Sequence, residues 1–182
     1  MTRLAELTGP EGHAILFRLA VPDDAARVLA YLRLVGGETP NLSFGAEGPA
    51  IDEEGERALL AAMAASDNSV AIVAEWTDRI VGVLTFSGDR RARFRHAGEM
   101  GISVARSCWG FGVGRKLMEL LIEWACRSGV VRKLNLIVRA DNARAIKLYE
   151  SFGFAVEGRI TREILVDGEF HDSLIMGRPI DA

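Results

Sequence analysis

The sequence predicts an α/β (α+β) domain on a mixed sheet, and three observations predict it. Short β-rich runs alternate with segments whose apolar residues recur at three- and four-residue steps. Glycine, asparagine and aspartate punctuate the joins between them. A length of 182 residues, 49% apolar and 26% charged, at mean hydropathy +0.13, suffices to bury most apolar groups in one core. The expected order is βααβββαβαββ, a single domain over residues 1–182 with residues 1–12 as a flexible N-terminal tail.

The elements follow in order. The run from Ala14 to Ala20 is short and apolar-rich, and Val21-Pro22-Asp23-Asp24 suits a first helical turn, where proline fits and carboxylates meet the positive dipole end. Ala25, Val28, Leu29 and Leu32 then form a stripe, and Gly36-Gly37 are expected to stop this helix at about Val35. After a loop rich in Gly, Pro, Asn and Ser, a second helix from about Ile51 to Ala65 is expected to bury Leu59, Leu60 and Met63. VAIVAEW and RIVGVLTF around Thr77-Asp78 read as a hairpin. A third run covers Ala97 to Ala105. Val113, Leu117, Leu120, Leu121, Trp124 and Ala125 mark a long helix that Gly129 ends. Leu134 to Val138 is a buried-type strand. Asp141-Asn142 can cap a helix that stops at Gly153, and Asp167-Gly168 joins a final hairpin.

Composition excludes several classes. The 22 Lys and Arg against 25 Asp and Glu leave a formal charge of -3, without the basic excess that sequence-independent duplex binding draws on, so nucleic acid is not an expected partner. Cys108 and Cys126 have neither CxxC nor Cys/His spacing, which fits a reducing cytoplasm and no structural zinc. The opening residues lack the apolar run of a secretion signal, and nowhere do about 18 uncharged apolar residues run together, so no membrane span is expected.

The chemistry begins at WGFGVG, Trp109 to Gly114, between a strand and the long helix. Successive N–H groups at a helix N-terminus can hold an anion there. A dinucleotide fingerprint would need glycine at 115, where the chain has Arg115, and a P-loop would need Ser or Thr after a GK pair, where it has Gly114-Arg115-Lys116-Leu117. A bare turn is the alternative reading of the glycines. Arg115 and Lys116 in a first turn oppose the helix dipole, however, and a bound phosphate would relieve that conflict.

ISVARSCWGFGVGRKLMELL resembles the pyrophosphate-binding segment, Q/R-x-x-G-x-G/A, of the GNAT superfamily of acyl-coenzyme A dependent N-acyltransferases. Trp109 stands where Gln or Arg is usual, and Gly112 and Gly114 fill the small positions. Asn142, Ala145, Leu148, Tyr149, Gly153 and Phe154 reproduce a second segment of that superfamily, N-x-x-A-x-x-L-Y-x-x-x-G-F. The C-terminal run is similar to the branch holding ribosomal-protein N-terminal acetyltransferases and polyamine acetyltransferases.

The resemblance implies a mixed, mostly antiparallel sheet with splayed central strands and about four flanking helices. It implies acetyl-CoA as acyl-donor cosubstrate, with its pantetheine arm on backbone groups of Ile102, Ser103 and Val104. Its phosphates would lie on the loop of Trp109, Gly110, Phe111, Gly112, Val113, Gly114 and Arg115, and its groove would be completed by Asn142, Ala145 and Tyr149. An amine would attack the thioester directly in a ternary complex, with Tyr149 protonating the leaving sulfur and no metal required. Glu99, on the strand facing the acceptor, is the candidate base acting through water. A homodimer is a family-level expectation.

Each assignment has a plainer counterpart. Tyr149 on its own is a helix-face core aromatic. Glu99 could sit on a solvated face or pair with Arg93 or Arg95. His13, His96 and His171 share no metal-ligand spacing, and Cys108 reads as a packing residue. Glu38, Glu47, Asp52, Glu53, Glu54 and Glu56 lie between Arg33 and Arg57 with no basic side chain, which would draw a cationic amine or would simply be a solvated loop and a helix N-terminus. The acceptor could be a small amine or a protein N-terminus. A non-catalytic coenzyme A sensor with the same fold is the alternative to an enzyme, and a nucleotide-binding protein a third reading.

Overall fold

A computed structural model describes residues 2–181. Its elements are β1 (Arg3–Thr8), β2 (Ala14–Leu19), α1 (Ala25–Glu38), α2 (Glu53–Ala64), β3 (Ser69–Trp76), β4 (Arg79–Gly88), β5 (Ala97–Val104), α3 (Val113–Ser128), β6 (Lys133–Arg139), α4 (Ala143–Ser151), β7 (Ala155–Val166) and β8 (Glu169–Pro179). One sheet of 8 strands runs β1-β2-β3-β4-β5-β6-β8-β7. Neighbours pair antiparallel except β5 and β6, which are parallel and pair only over Ala97–Lys133, Gly98–Leu134 and Glu99–Asn135. Beyond Glu99 the two strands part. From Met100 to Val104, β5 is paired on its β4 side alone, so the centre of the sheet opens into a seam. The side-chain amide of Asn135 donates to the carbonyl of Gly98 at 3.1 Å and pins the closed end.

The helices divide between the faces. Val83 helps line a cavity with residues of α1 and α2, whereas a Cβ on the adjacent Gly82 would lie 3.1 Å from Val113 and 3.3 Å from Leu117 of α3. Alternate strand residues face opposite sides, so α1 and α2 cover one face and α3 the other. Phe17, Ile72, Leu84, Phe86, Leu117, Leu121 and Met176 are wholly buried between them. No helix among the described residues is long and apolar enough to cross a membrane.

Local chemistry sets most boundaries. Thr77 and Asp78 both adopt positive φ, 45° and 62°, as a tight hairpin with right-handed strand twist requires. Asp52 caps α2 by accepting from the amide of Gly55 at 2.8 Å, and Gly129 closes α3 in the left-handed region. A buried ion cluster ties β2 to α1 and β3: Arg18 donates to both oxygens of Asp24 and both of Glu75, and Arg27 donates to the same two carboxylates.

Three expectations are corrected. The segment expected as a tail contains β1, paired with β2 from Arg3 to Thr8 and forming the sheet's edge. Helix α1 runs through Gly36-Gly37 to Glu38; a Cβ on Gly36 would stand 2.0 Å from the carbonyl oxygen of Gly45, so this glycine admits the following loop rather than ending the helix. Leu59 is 41% exposed, and Glu56 takes the inward place on α2 with Leu60 and Met63.

Candidate functional site

The open seam is the floor of a groove of about 1100 Å³. Its walls come from β5, the glycine loop with the start of α3, and α4. These are the segments that the two sequence motifs single out. The seam exists because β5 and β6 lose contact after one short parallel pairing, which leaves backbone groups of β5 facing the cleft.

At one end lies the glycine loop. Gly110 and Gly112 adopt φ of 86° and 80°, where a side chain is strained, and Gly112 caps α3. The carbonyl of Gly112 accepts from the Lys116 amide at 2.9 Å to close the first turn, while the N–H groups from Gly110 to Arg115 donate to no other described residue. Unpaired amides at a helix N-terminus form a ready anion cradle. Lys116 turns away to Glu119 at 2.5 Å. Arg115 lies over the Phe152 ring at 5.2 Å and meets no carboxylate among the described residues.

Trp109 adopts a different role from a charged phosphate ligand. Its indole nitrogen donates to the carbonyl of Val104 at 2.8 Å, and the guanidinium of Arg144 stacks over its ring at 4.3 Å, with that of Arg106 at 5.6 Å. Trp109 itself is uncharged, and the positive charge at this place is that of Arg144, seated on the indole. Arg144, in the first turn of α4, lines the groove together with Lys147. Neither is singled out by the sequence motifs; for Arg144 the available signal is the one present at Arg115, a base in the first turn of a helix.

The other predicted residues mostly converge. Glu99, Ile102, Ser103, Val104, Trp109, Gly110, Gly112, Val113, Gly114, Arg115, Asn142, Ala145 and Tyr149 all line the groove. Phe111 does not; its side chain is 40% exposed outside it. A Cβ on Gly114 would come within 3.6 Å of Leu148 and 3.8 Å of Val104, so its absence keeps the groove open where α3 meets β5. Asn142 caps α4 by accepting from the amide of Ala145 at 3.2 Å. The hydroxyls of Ser103 and Tyr31 share a hydrogen bond of 3.0 Å, which holds α1 against β5.

Tyr149 is 7% exposed, its ring tilted against Phe154 at 6.0 Å, and its hydroxyl has no hydrogen-bond partner among the described residues. Burial pushes its ionisation up to about 12, so the phenol stays protonated at neutral pH. Ser173 is a further groove residue that sequence reading missed; its buried hydroxyl also lacks a partner among the described residues. Glu99 is exposed and free of ion pairs among the described residues, since Arg95 is engaged with Asp67 at 2.7 Å. Burial pushes the Cys108 thiol up, as befits a packing residue.

The six carboxylates separate. Glu38 accepts from the Arg106 amide, Glu47 from the Gly45 amide and Asp52 from Gly55, and Glu53 pairs with Arg57. Only Glu54, exposed, and Glu56, buried, are left without a partner among the described residues. No cluster of metal-ligating side chains occurs among the described residues.

The comparisons agree with this geometry. Residues 41–154 match the model of the acetyltransferase (GNAT) family. Over 99 residues the chain is 36% identical to the L-amino acid N-acetyltransferase AaaT of Escherichia coli; the match covers 54% of this chain and 61% of that protein, short of two thirds of its length. An acetyltransferase of the GNAT family from Streptococcus pneumoniae superposes with a TM-score of 0.87 at 35% identity, covering 92% of this chain and 99% of the other. The yncA protein of Salmonella typhimurium, solved with its cofactor acetyl-CoA, shares the fold at a TM-score of 0.79 and 23% identity, covering 92% of this chain and 95% of the other. With the family's segments forming one groove and its model spanning most of the chain, the protein belongs to the GNAT acetyltransferase family.

Proposed function

We propose that this single-domain protein is an acetyl-CoA dependent N-acetyltransferase that moves an acetyl group to a primary amine by direct attack. The observation that carries the reading is the continuity of three features in one groove: an unpaired row of amides, an open strand edge, and a buried neutral phenol. A diphosphate fits the first, the amide groups of a pantetheine arm fit the second, and a thioester sulfur fits the third. Acetyl-CoA supplies the activated acyl group when bound.

The amides from Gly110 to Arg115 hold the diphosphate, and Arg115 and Arg144, both in the groove's lining, neutralise it. Free backbone groups of Ile102 and Ser103 pair with the arm as a strand would. The carbonyl of Val104 already accepts one bond from Trp109, which leaves one lone-pair direction for a ligand. Attack forms a C–N bond and breaks the C–S bond; Tyr149 gives its proton to the departing sulfur, and the nitrogen loses one through water to Glu99. An alkyl ammonium costs about 4 kcal/mol to deprotonate at pH 7.4, so a base at the acceptor side is a substantial part of the barrier.

The test is thiol release from acetyl-CoA across a panel of primary amines. Release that depends on a particular amine, with a matching acetylated product, supports the enzyme. Coenzyme A binding with no release on any amine makes the protein a sensor of coenzyme A.

A further inference from the structure

Behind β5, on the face covered by α1 and α2, lies a second chamber of about 460 Å³. It shares Leu42, Ser43, Gly101, Ile102 and Ser103 with the groove that holds Tyr149 and Glu99, so the two spaces adjoin across one stretch of wall. The rest of its lining is mainly aliphatic: Val28 and Leu32 of α1, Leu59 and Leu60 of α2, Val73 and Val83 of the sheet. One charged side chain lines it, Glu56.

Glu56 is 5% exposed, and while its backbone amide donates to the carbonyl of Asp52 at 2.9 Å, its carboxylate has no hydrogen bond or ion pair among the described residues. Its neighbours on the acidic stretch are accounted for: Asp52 caps the helix and Glu53 holds Arg57. A dipole argument explains a carboxylate in a first turn but not one facing inward among aliphatic side chains, because burying it unpaired is costly and leucine would fill the place better. Burial raises its carboxyl above the ordinary range, the response of a group that lacks a counter-charge. What the chamber lacks is a cation.

We infer that Glu56 is the anchor for a second, distal cationic group of the acceptor, so that the preferred substrate is a diamine-like molecule whose reacting nitrogen lies beside Tyr149 and whose methylene chain crosses the aliphatic wall. This rests on the acetyltransferase reading for the groove itself. The chamber selects by two properties together. Aliphatic walls favour a methylene spacer over a polar one, and the single carboxylate favours a terminal ammonium over a methyl group. A monoamine of equal length would leave Glu56 buried and unpaired; a diamine brings the missing charge and gains from the low local dielectric.

The experiment compares α,ω-diaminoalkanes of increasing length with the matched monoalkylamines, on coenzyme A-loaded protein by melting shift and with acetyl-CoA by steady-state kinetics. For the diamine that fits, the expected result is a larger melting shift than its monoamine gives and a KM lower by about tenfold, the scale of one charge-assisted contact. Glu56→Gln, which keeps shape and removes charge, should erase that preference. Glu54→Gln, at the exposed partnerless carboxylate, should leave the preference intact. Equal response to diamine and monoamine in the unaltered protein, or a preference that survives Glu56→Gln, overturns the inference. Should no amine release thiol, the acetyltransferase reading falls, and the melting shifts alone still decide whether Glu56 holds a cation.

Discussion

The indole nitrogen of Trp109 donates to the carbonyl oxygen of Val104 at 2.8 Å, and this bond joins the glycine loop to the end of β5. The same ring carries the guanidinium of Arg144 on its face at 4.3 Å. One side chain thereby fixes the loop, the free strand edge and a positive charge from α4 relative to one another. Trp109→Ala is expected to raise KM for acetyl-CoA by about tenfold with little change in kcat, from the summed loss of a hydrogen bond and a stacked cation. Trp109→Phe keeps the platform but not the bond and should cost a few-fold. Steady-state kinetics on both variants check this, and an unaltered KM in the alanine variant contradicts it.

Tyr149→Phe removes a hydroxyl without a partner among the described residues, so stability and coenzyme A affinity should stay near those of the unaltered protein while kcat falls by about 10²-fold or more. A phenol pushed up to about 12 is the acid form throughout ordinary buffers. Because its proton is lost only as pH rises through that value, kcat should show no falling limb from this group below about pH 11. A falling limb near pH 9 that disappears in Tyr149→Phe would contradict the burial argument.

Glu99→Gln should lower kcat, leaving the melting shift with coenzyme A unchanged. An unaltered rate in this variant would move the base to another group or to solvent.

Gly112→Ala places a side chain at a φ of 80°. The strain is about 1–2 kcal/mol, or several degrees in Tm for a chain of this size, together with weaker binding of coenzyme A because the cradle's amides are re-aimed. Gly110→Ala, at a φ of 86° in open space, should show the same loss of Tm. Thermal melts with and without ligand separate the two contributions.

Arg18, 4% exposed, bridges Asp24 and Glu75, and Arg18→Met is expected to destabilise by about 3–5 kcal/mol by leaving two carboxylates without their main partner. Burial opposes ionisation of Asp24, but hydrogen bonds from Arg18 and the Val21 amide bring it below the ordinary carboxylate range; in Glu75 the Arg18 hydrogen bond dominates to the same end. Depressed carboxyls stabilise the fold fully above about pH 4.3 and lose that contribution as pH falls through their folded values. Tm should therefore drop steeply in acid, and less steeply in the Arg18→Met variant.

The sequence is legible wherever a few adjacent residues decide the conformation. Thr77-Asp78, Asn142 and Gly129 each act within one turn of chain, and the glycine loop announces its unpaired amides by composition alone. The groove-lining residues of the two motifs are legible because each motif lies within a contiguous stretch, although that they share one groove depends on β5 and β6 separating, which no local signal encodes. Other features depend on distant partners. β1 is an edge strand whose two half-buried side chains, Ala5 and Leu7, gain meaning only beside β2. Gly36 reads as a helix stop until Gly45 is seen against it. Glu56 and Leu59 are three residues apart on α2, and which of them faces inward is set by the packing of α2 on the sheet, not by hydropathy.

The most direct measurement is calorimetric titration of the purified, folded protein with coenzyme A and with acetyl-CoA. The account predicts saturable binding of both at one site per chain, weakened by Gly112→Ala and by Trp109→Ala. An absence of binding for both ligands would contradict the assignment of the amides from Gly110 to Arg115 as a diphosphate cradle, and with it the groove's proposed chemistry.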